Sequence, residues 1–113
     1  MANSFVNAKV DLTTTDNTTL YTTPTANVAL VKSILVSNDA GSACNITVTL
    51  TDASGNVFSL FKTKSVDSNT TTELLTQPLV VEESEILKVQ ASDANELHVI
   101  ASILQIQPRE VTT

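Results

Sequence analysis

The sequence predicts an all-β protein, an antiparallel β-sandwich or jelly roll of about eight short strands. Short segments in which apolar and polar residues alternate recur along the chain. Clusters of Gly, Pro, Asn, Asp and Ser separate these segments, as turns separate strands. The commonest residue is Thr, whose β-branched side chain suits the solvent-facing side of a strand. No segment carries the apolar period that indicates a helix.

Four strands are predicted in the first half of the chain. Pro24 ends the second strand, because proline cannot donate to a ladder of hydrogen bonds. Turn-forming residues at 38–42 end the third, which is the most apolar run. The fourth places Ile46, Val48 and Leu50 on one side and threonines on the other, so we expect one buried and one solvent-facing side. The predicted ranges are 6–12, 18–22, 28–37 and 44–51.

A β-hairpin is the strongest local prediction in the second half. The fourth strand and the segment 57–62 flank a short turn that contains Gly55, and this combination is typical of hairpins. The remaining strands are short except for the last. Their predicted ranges are 70–75, 79–81, 86–91 and 97–106.

The chain of 113 residues is expected to form one β-sandwich domain over 1–113. We consider residues 1–12 as an N-terminal arm and residues 107–113 as a frayed tail. The single cysteine, Cys44, excludes an intrachain disulfide and is predicted to be buried. The first residues lack the basic and apolar regions of a signal peptide, and no run approaches the roughly 18 apolar residues of a membrane span.

The formal net charge of −6 disfavours nucleic acid and anionic membranes as partners. Phosphate binding needs clustered Lys and Arg, and the six basic residues are scattered. Three glutamates, Glu82, Glu83 and Glu85, fall in one predicted turn. We interpret this turn as solvated, with a weak cation site or a contact to a basic partner as the alternative.

Candidate catalytic or metal-ligating groups are few. His98 is the only histidine and lies within a predicted strand, where we expect a structural role rather than that of a general base. One histidine and one cysteine cannot build a zinc site of the usual composition. Asp52, Ser54 and Asn56 have the spacing of a calcium loop, but an apolar strand replaces the required glutamate, so we interpret them as a hairpin turn. We therefore expect neither an enzyme nor a cofactor.

Several stretches carry a resemblance to a known class of proteins: 20–24 (LYTTP), 31–38 (VKSILVSN), 46–51 (ITVTLT), 78–83 (PLVVEE), 87–92 (LKVQAS) and 99–103 (VIASI). In this rhythm the chain resembles small β-sandwich virion structural proteins, decoration or accessory proteins, of tailed bacteriophages, particularly cyanophages. The resemblance covers most of residues 20–106. Those proteins often have Gly after the Pro, where this chain has Thr-Ala-Asn at 25–27, and Gly in the acidic turn, where it has Ser84. We expect Asn27 to supply the left-handed backbone in the first turn.

The resemblance implies a structural protein of the virion that is synthesised in the host bacterial cytoplasm. The leading hypothesis is a capsid decoration (cement) protein that binds the phage major capsid protein and stabilises the head shell. It would be a homo-oligomer, with a trimer as the candidate form. The alternative in the same class is a tail, neck or baseplate accessory protein. A carbohydrate-binding sandwich is a remoter alternative, disfavoured because Trp is absent and Tyr21 is the only tyrosine.

Partner contacts are expected where arms and loop tips reach furthest from a sandwich. The candidate contact residues are therefore Phe5 and Val6 near the N-terminus, and Asp52, Ser54 and Asn56 in the hairpin turn. We expect no metal, nucleic acid or membrane at these positions.

Overall fold

The structure is a computed structural model that describes residues 2–107. These residues form nine strands and their connecting loops, with no helix and therefore none that could span a membrane. The predicted class, an all-β sandwich, is confirmed. The strands are β1 (Ala2–Leu12), β2 (Thr18–Thr22), β3 (Val28–Asn38), β4 (Cys44–Thr51), β5 (Val57–Val66), β6 (Thr70–Glu73), β7 (Leu79–Val81), β8 (Ile86–Ala91) and β9 (Leu97–Gln107).

The strands form two antiparallel sheets that pack face to face. The five-stranded sheet has the order β1-β9-β3-β6, and β7 also pairs with β3, beside β6. The four-stranded sheet has the order β2-β8-β4-β5. Within the described chain only β4 and β5 are both consecutive and paired, which confirms the predicted hairpin. Most other pairs join distant segments, so the sheets depend on long-range contacts.

An aliphatic layer fills the space between the sheets. Alternate residues of β3, β4, β8 and β9 point inward and are buried. The largest fully buried side chains are Leu, Ile and Val, as an aromatic content of 4% requires. Tyr21 joins the sheets at the margin, where its hydroxyl donates to Oε1 of Gln105 at 2.6 Å. Burial raises the pKa of Tyr21, although a hydrogen bond with Thr23 opposes the rise.

Glu73 closes a bulge in β3. The pairing of β3 with β9 shifts register between Val31 and Ser33, which turns backbone groups away from the ladder. The Glu73 carboxylate accepts hydrogen bonds from the Ser33 hydroxyl, from the amide of Ile34 at 2.8 Å and from the amide of Leu75 at 3.1 Å. Burial raises the pKa of Glu73, but these three hydrogen bonds outweigh it and hold the pKa below its ordinary value.

Asn38 satisfies the backbone where β3 ends. Its side chain is buried. The amide nitrogen donates to the carbonyls of Ser42 and Val66 at 2.9 and 3.1 Å, and the amide oxygen accepts from the amide of Ala40 at 2.9 Å. One side chain therefore ties the β3–β4 loop to the end of β5.

Several turns contain non-glycine residues in the left-handed region. Ala26 (φ 63°) and Ser84 (φ 67°) lie in the two turns where the phage proteins that the sequence resembles often have Gly. The left-handed residue of the first turn is therefore Ala26, and the expectation for Asn27 is wrong. The reason is a contact with a distant turn, because the amide of Ala26 donates to Oε2 of Glu83 at 2.6 Å and this bond holds Ala26 at the corner.

Strand ends differ from the predicted ranges mainly in β1 and β5. β5 continues to Val66 because it passes through a bulge at Thr63, which has φ 49°. β1 begins at Ala2, and residues 2–12, considered above as an arm, pair with β9 along their whole length. Their role as an arm stays a prediction. Of the predicted tail, Gln107 is the last residue of β9, and 108–113 lie outside the described residues.

Ser84→Gly should raise the stability of the protein. Glycine adopts a left-handed backbone without the strain of about 1 kcal/mol that a Cβ brings, so we expect the free energy of unfolding to rise by roughly 0.5–1 kcal/mol. Chemical denaturation measures this. Ser54→Gly is the matched control, since Ser54 is also an exposed turn residue but has no positive φ. An equal gain from the control would contradict the explanation.

Glu73→Gln should destabilise the protein at neutral pH and much less at acidic pH. The pKa of Glu73 is lower in the folded state. Its contribution is thus complete above the unfolded pKa of about 4.3 and is lost as the pH falls through the folded pKa. We expect the melting temperature to drop by roughly 3–5 °C at pH 7. The control is Glu82→Gln, in an exposed turn, which should leave the melting temperature unchanged. A drop from Glu73→Gln that is equal at both pH values would refute the mechanism.

Candidate functional site

The structure places the two N-terminal contact candidates on opposite sides of β1. Phe5 points outward from the five-stranded sheet and is 83% exposed. Val6 points inward, is half-buried and packs against the core. Because strand side chains alternate, one partner cannot contact both from the same face. Their role in binding stays a prediction.

The other candidates, Asp52, Ser54 and Asn56, form the tip of the β4–β5 hairpin. The Asp52 carboxylate accepts from the amides of Ser54 and Asn56 at 3.0 and 2.9 Å and from the Asn56 side chain at 3.3 Å. The hydrogen bond from the amide of Asn56 makes the largest contribution to the pKa of Asp52. Together these bonds hold that pKa below its ordinary value. The carboxylate is thus occupied with shaping the turn, together with Gly55 at φ 91°.

The hairpin tip and Phe5 lie on different sheets at the same end of the sandwich. Thr51 pairs with Ile86, and Ile86 pairs with Thr22, so the tip aligns with the end of β2. The contact of Tyr21 with Gln105 aligns that end with the start of β1. Next to the tip, β5 begins with two further exposed apolar residues, Val57 and Phe58.

The outward side of the five-stranded sheet carries many apolar residues, of which Phe5, Val80 and Ile100 are among the exposed ones. We define the outer apolar face as Phe5, Val28, Leu30, Leu35, Val80, Ile100, Leu104 and Ile106. One row of this face crosses four strands without interruption: Phe5 pairs with Leu104, Leu104 with Leu30, and Leu30 with Val80. Outward sides of antiparallel sheets are ordinarily polar. A continuous apolar row on one is therefore the candidate interaction surface of this structure.

Charged residues flank a second row of the outer apolar face. Ile100 and Leu35 pair with each other at its centre, Lys9 pairs with Ile100 on one side, and Glu73 pairs with Leu35 on the other. Between the two rows lies a shallow depression floored by Ser102 and bordered by Phe5, Asn7 and Lys32. The face thus consists of two apolar rows separated by polar side chains, and Lys9 and Glu73 form a charged rim at the ends of the second row.

The opposite side of the sandwich differs in chemistry. The outward residues of β4 are Asn45, Thr47, Thr49 and Thr51, and those paired with them on β8 include Gln90 and Lys88. A shallow depression on this side is lined largely by polar side chains. Its polarity means that solvent can wet this side at little cost, whereas the outer apolar face gains from being covered.

His98 lies on the outward side of the five-stranded sheet, at the end of the outer apolar face. Its Nε2 lies 3.2 Å from Oδ1 of Asp11, the residue directly opposite on β1. Both side chains are substantially exposed, so the pair adds little stability. The two residues border a depression with Lys9 and Ile100, which places them at the rim of the face.

Cys44, Asp93 and Glu96 converge at the end of the sandwich opposite the β4–β5 hairpin tip, with ligand atoms within 4.8 Å of one another. Cys44 is buried, and its sulfur lies 3.5 Å from the Ser92 hydroxyl. The Ser42 hydroxyl donates to Glu96 at 2.8 Å. These contacts close the β8–β9 turn against β4, and we assign no metal to the cluster.

The acidic turn uses its carboxylates within the fold. Glu83 accepts the amide of Ala26, and Oε1 of Glu85 accepts the amide of Glu82 at 2.8 Å. The backbone of the turn also pairs with Thr23, whose amide donates to the carbonyl of Glu85 at 3.1 Å. These bonds account for two of the three acidic side chains as turn-stabilising groups.

Comparison of the chain with known protein families and with curated proteins finds no match. The candidate site is therefore identified from the positions and exposure of the described residues.

Sequence reasoning missed the centre of the outer apolar face, including Leu30, Val80 and Leu104. The available signal was that β3 and β9 carry apolar residues at both odd and even positions, which is incompatible with a solvent-facing side. The residues of the face are brought together only by long-range pairing of β1, β9, β3 and β7. That pairing could not be read from local patterns.

Proposed function

We propose that the protein is a non-enzymatic structural protein of a phage virion, a capsid decoration protein that docks on the major capsid protein through the outer apolar face. The observation that carries the docking role is the continuous apolar row from Phe5 to Val80. The virion assignment rests on the sequence resemblance. A tail, neck or baseplate protein would use the same surface, so its location on the particle is the finer part of the proposal.

Exposure of the outer apolar face to water is unfavourable, and its burial against a partner is favourable. Each square ångström of apolar surface removed from water contributes about 25 cal/mol. A shell presents many equivalent sites, so a modest contact per copy is enough for full occupancy when it is combined with oligomerisation. The charged rim, with Lys9 on one edge and Glu73 on the other, would orient the docked domain rather than supply affinity.

The polar outward side of the four-stranded sheet supports docking through the outer apolar face. With the outer apolar face on the capsid, the threonine-rich side of β4 would face solvent and keep the decorated particle hydrated. The sugar-binding alternative gains nothing from the structure, because the ring of Tyr21 is buried and its hydroxyl is bonded to Gln105. A flat, exposed aromatic platform on the polar side would have favoured it.

Docking can be tested by co-sedimentation with phage heads that lack this protein. Wild-type protein should sediment with heads, whereas Val80→Glu and Ile100→Glu should each weaken binding at least roughly tenfold, because each buries a carboxylate in an apolar contact. Both side chains are exposed, at 54% and 38%, so the variants should fold.

Thr19→Glu is the control, because Thr19 is exposed and lies on β2 in the other sheet. It should bind like wild type. Failure of wild-type protein to bind heads, with binding to isolated tails, would move the proposal to the tail or neck. Binding to neither, with folded protein, would reject the virion role.

A further inference from the structure

Three of the four lateral edges in the described sheets carry features that block the addition of another strand. β5 is bulged in its pairing with β4, adopts φ 49° at Thr63 and exposes Lys62 and Lys64. β2 has only five residues and a register shift, and Pro24 follows it. β6 and β7 share one edge as strands of four and three residues. Short strands, bulges and lysines are the usual protections of an edge.

The fourth edge, β1, carries one of these protections, the exposed Lys9, but it is neither short nor bulged. It is 11 residues long and contains no proline. It pairs with β9 residue for residue, from Ala2 opposite Gln107 to Leu12 opposite Leu97, without a register shift. Among residues 2–107, β9 is its single neighbour in the sheet. About half of the backbone N–H and C=O groups of β1 therefore point away from the ladder. A long regular edge of this kind is a template for strand pairing.

We propose that β1 pairs antiparallel with β1 of a second copy of this chain, across a two-fold axis, so that two five-stranded sheets become one continuous sheet. The contact is isologous, because the same strand serves both copies. It uses up the free edge and therefore closes at two copies. This dimer differs from the trimer that the resemblance implies as the candidate form. The dimer does not depend on the capsid proposal.

The register of the pair follows from β1 itself. Complete overlap of Ala2–Leu12 with its copy places Asn7 opposite the same residue of the partner. It also keeps inward side chains opposite inward ones, as antiparallel pairing demands. Phe5 then lies opposite the partner's Lys9, and Asn3 lies opposite the partner's Asp11. No like charges face each other, and the aliphatic stem of Lys9 can cover the exposed ring of Phe5.

The inward side of β1 favours a copy of this chain as the occupant. Val6, Ala8 and Val10 face the core but are only partly buried, because the sandwich is open at this edge. In the proposed register the partner's Ala8 lies opposite Val6, and its Ser4 lies opposite Val10. The apolar layer of one copy would then continue into that of the other, and the half-buried residues would lose their remaining exposure.

Disulfide trapping tests the register directly. Asn7→Cys in a Cys44→Ala background should form an interchain disulfide under mild oxidation, since directly opposite Cα atoms lie about 4.5–5.5 Å apart. Asn3→Cys in the same background is the matched control. Asn3 is equally exposed on the same face of β1, but in the proposed register it lies far from Asn3 of the partner subunit, so little disulfide should form.

Charge substitutions test the pairing by an independent measurement. Phe5→Lys places like charges opposite each other twice across the two-fold axis and should weaken the dimer roughly tenfold in sedimentation velocity. Phe5→Glu places Glu opposite the partner's Lys9 and should leave the dimer intact. Because Phe5 is 83% exposed, both variants should fold, and circular dichroism verifies this.

A dimer that is trapped by Asn7→Cys and weakened only by Phe5→Lys would support the proposal. A wild-type protein that is monomeric at all concentrations, or trimeric, would overturn it. Equal trapping of Asn7→Cys and Asn3→Cys would also overturn it, because the strands would then have no fixed register. Failure of the wild-type protein to bind heads in the docking experiment, with the dimer intact, would count against the capsid proposal alone.

Discussion

The inward-facing aliphatic side chains of β3 and β9 pack against those of β4 and β8, and both sheets depend on this layer. Residues such as Ile34, Val99, Ile46 and Leu87 are completely shielded from water. The layer contains almost no aromatic side chain, so many small contacts between branched residues replace a few large ones. β3 pairs with β9, β6 and β7. The pairing that aligns its buried residues also aligns its outward residues with those of β9 and β7, and this alignment forms the apolar row.

Three irregular places in the backbone are satisfied by particular side chains. Glu73 binds the bulge of β3, Asn38 binds the loop after it, and Asp52 shapes the hairpin turn. Such bonds matter because an unpaired backbone group away from water costs roughly 1–3 kcal/mol. Two of these side chains, Glu73 and Asp52, are acidic, and their carboxylates are engaged in hydrogen bonds within the fold.

Much of the fold could be predicted from sequence because the strands are bounded by strong turn signals. β2, β4, β7 and β8 match their predicted ranges, and the hairpin follows from the alternation in β4 and from Gly55. The extension of β5 could not be predicted, since Thr63 adopts a left-handed conformation that its residue type does not favour. The candidate site was predictable only in part. Phe5 was predicted as a contact residue from its terminal position, and that role stays a prediction. Leu104 and Val80 join it in one row through pairings between segments far apart in the chain.

The unlike outward sides of the two sheets give the whole domain an amphipathic character that is usually discussed for single helices. One broad side prefers apolar contact, and the other, rich in threonine, prefers water. At any boundary between water and an apolar phase, such as the air–water interface of a thin film, the domain should adsorb with one side down rather than tumble at random. The domain would therefore be oriented at such an interface even without a specific partner.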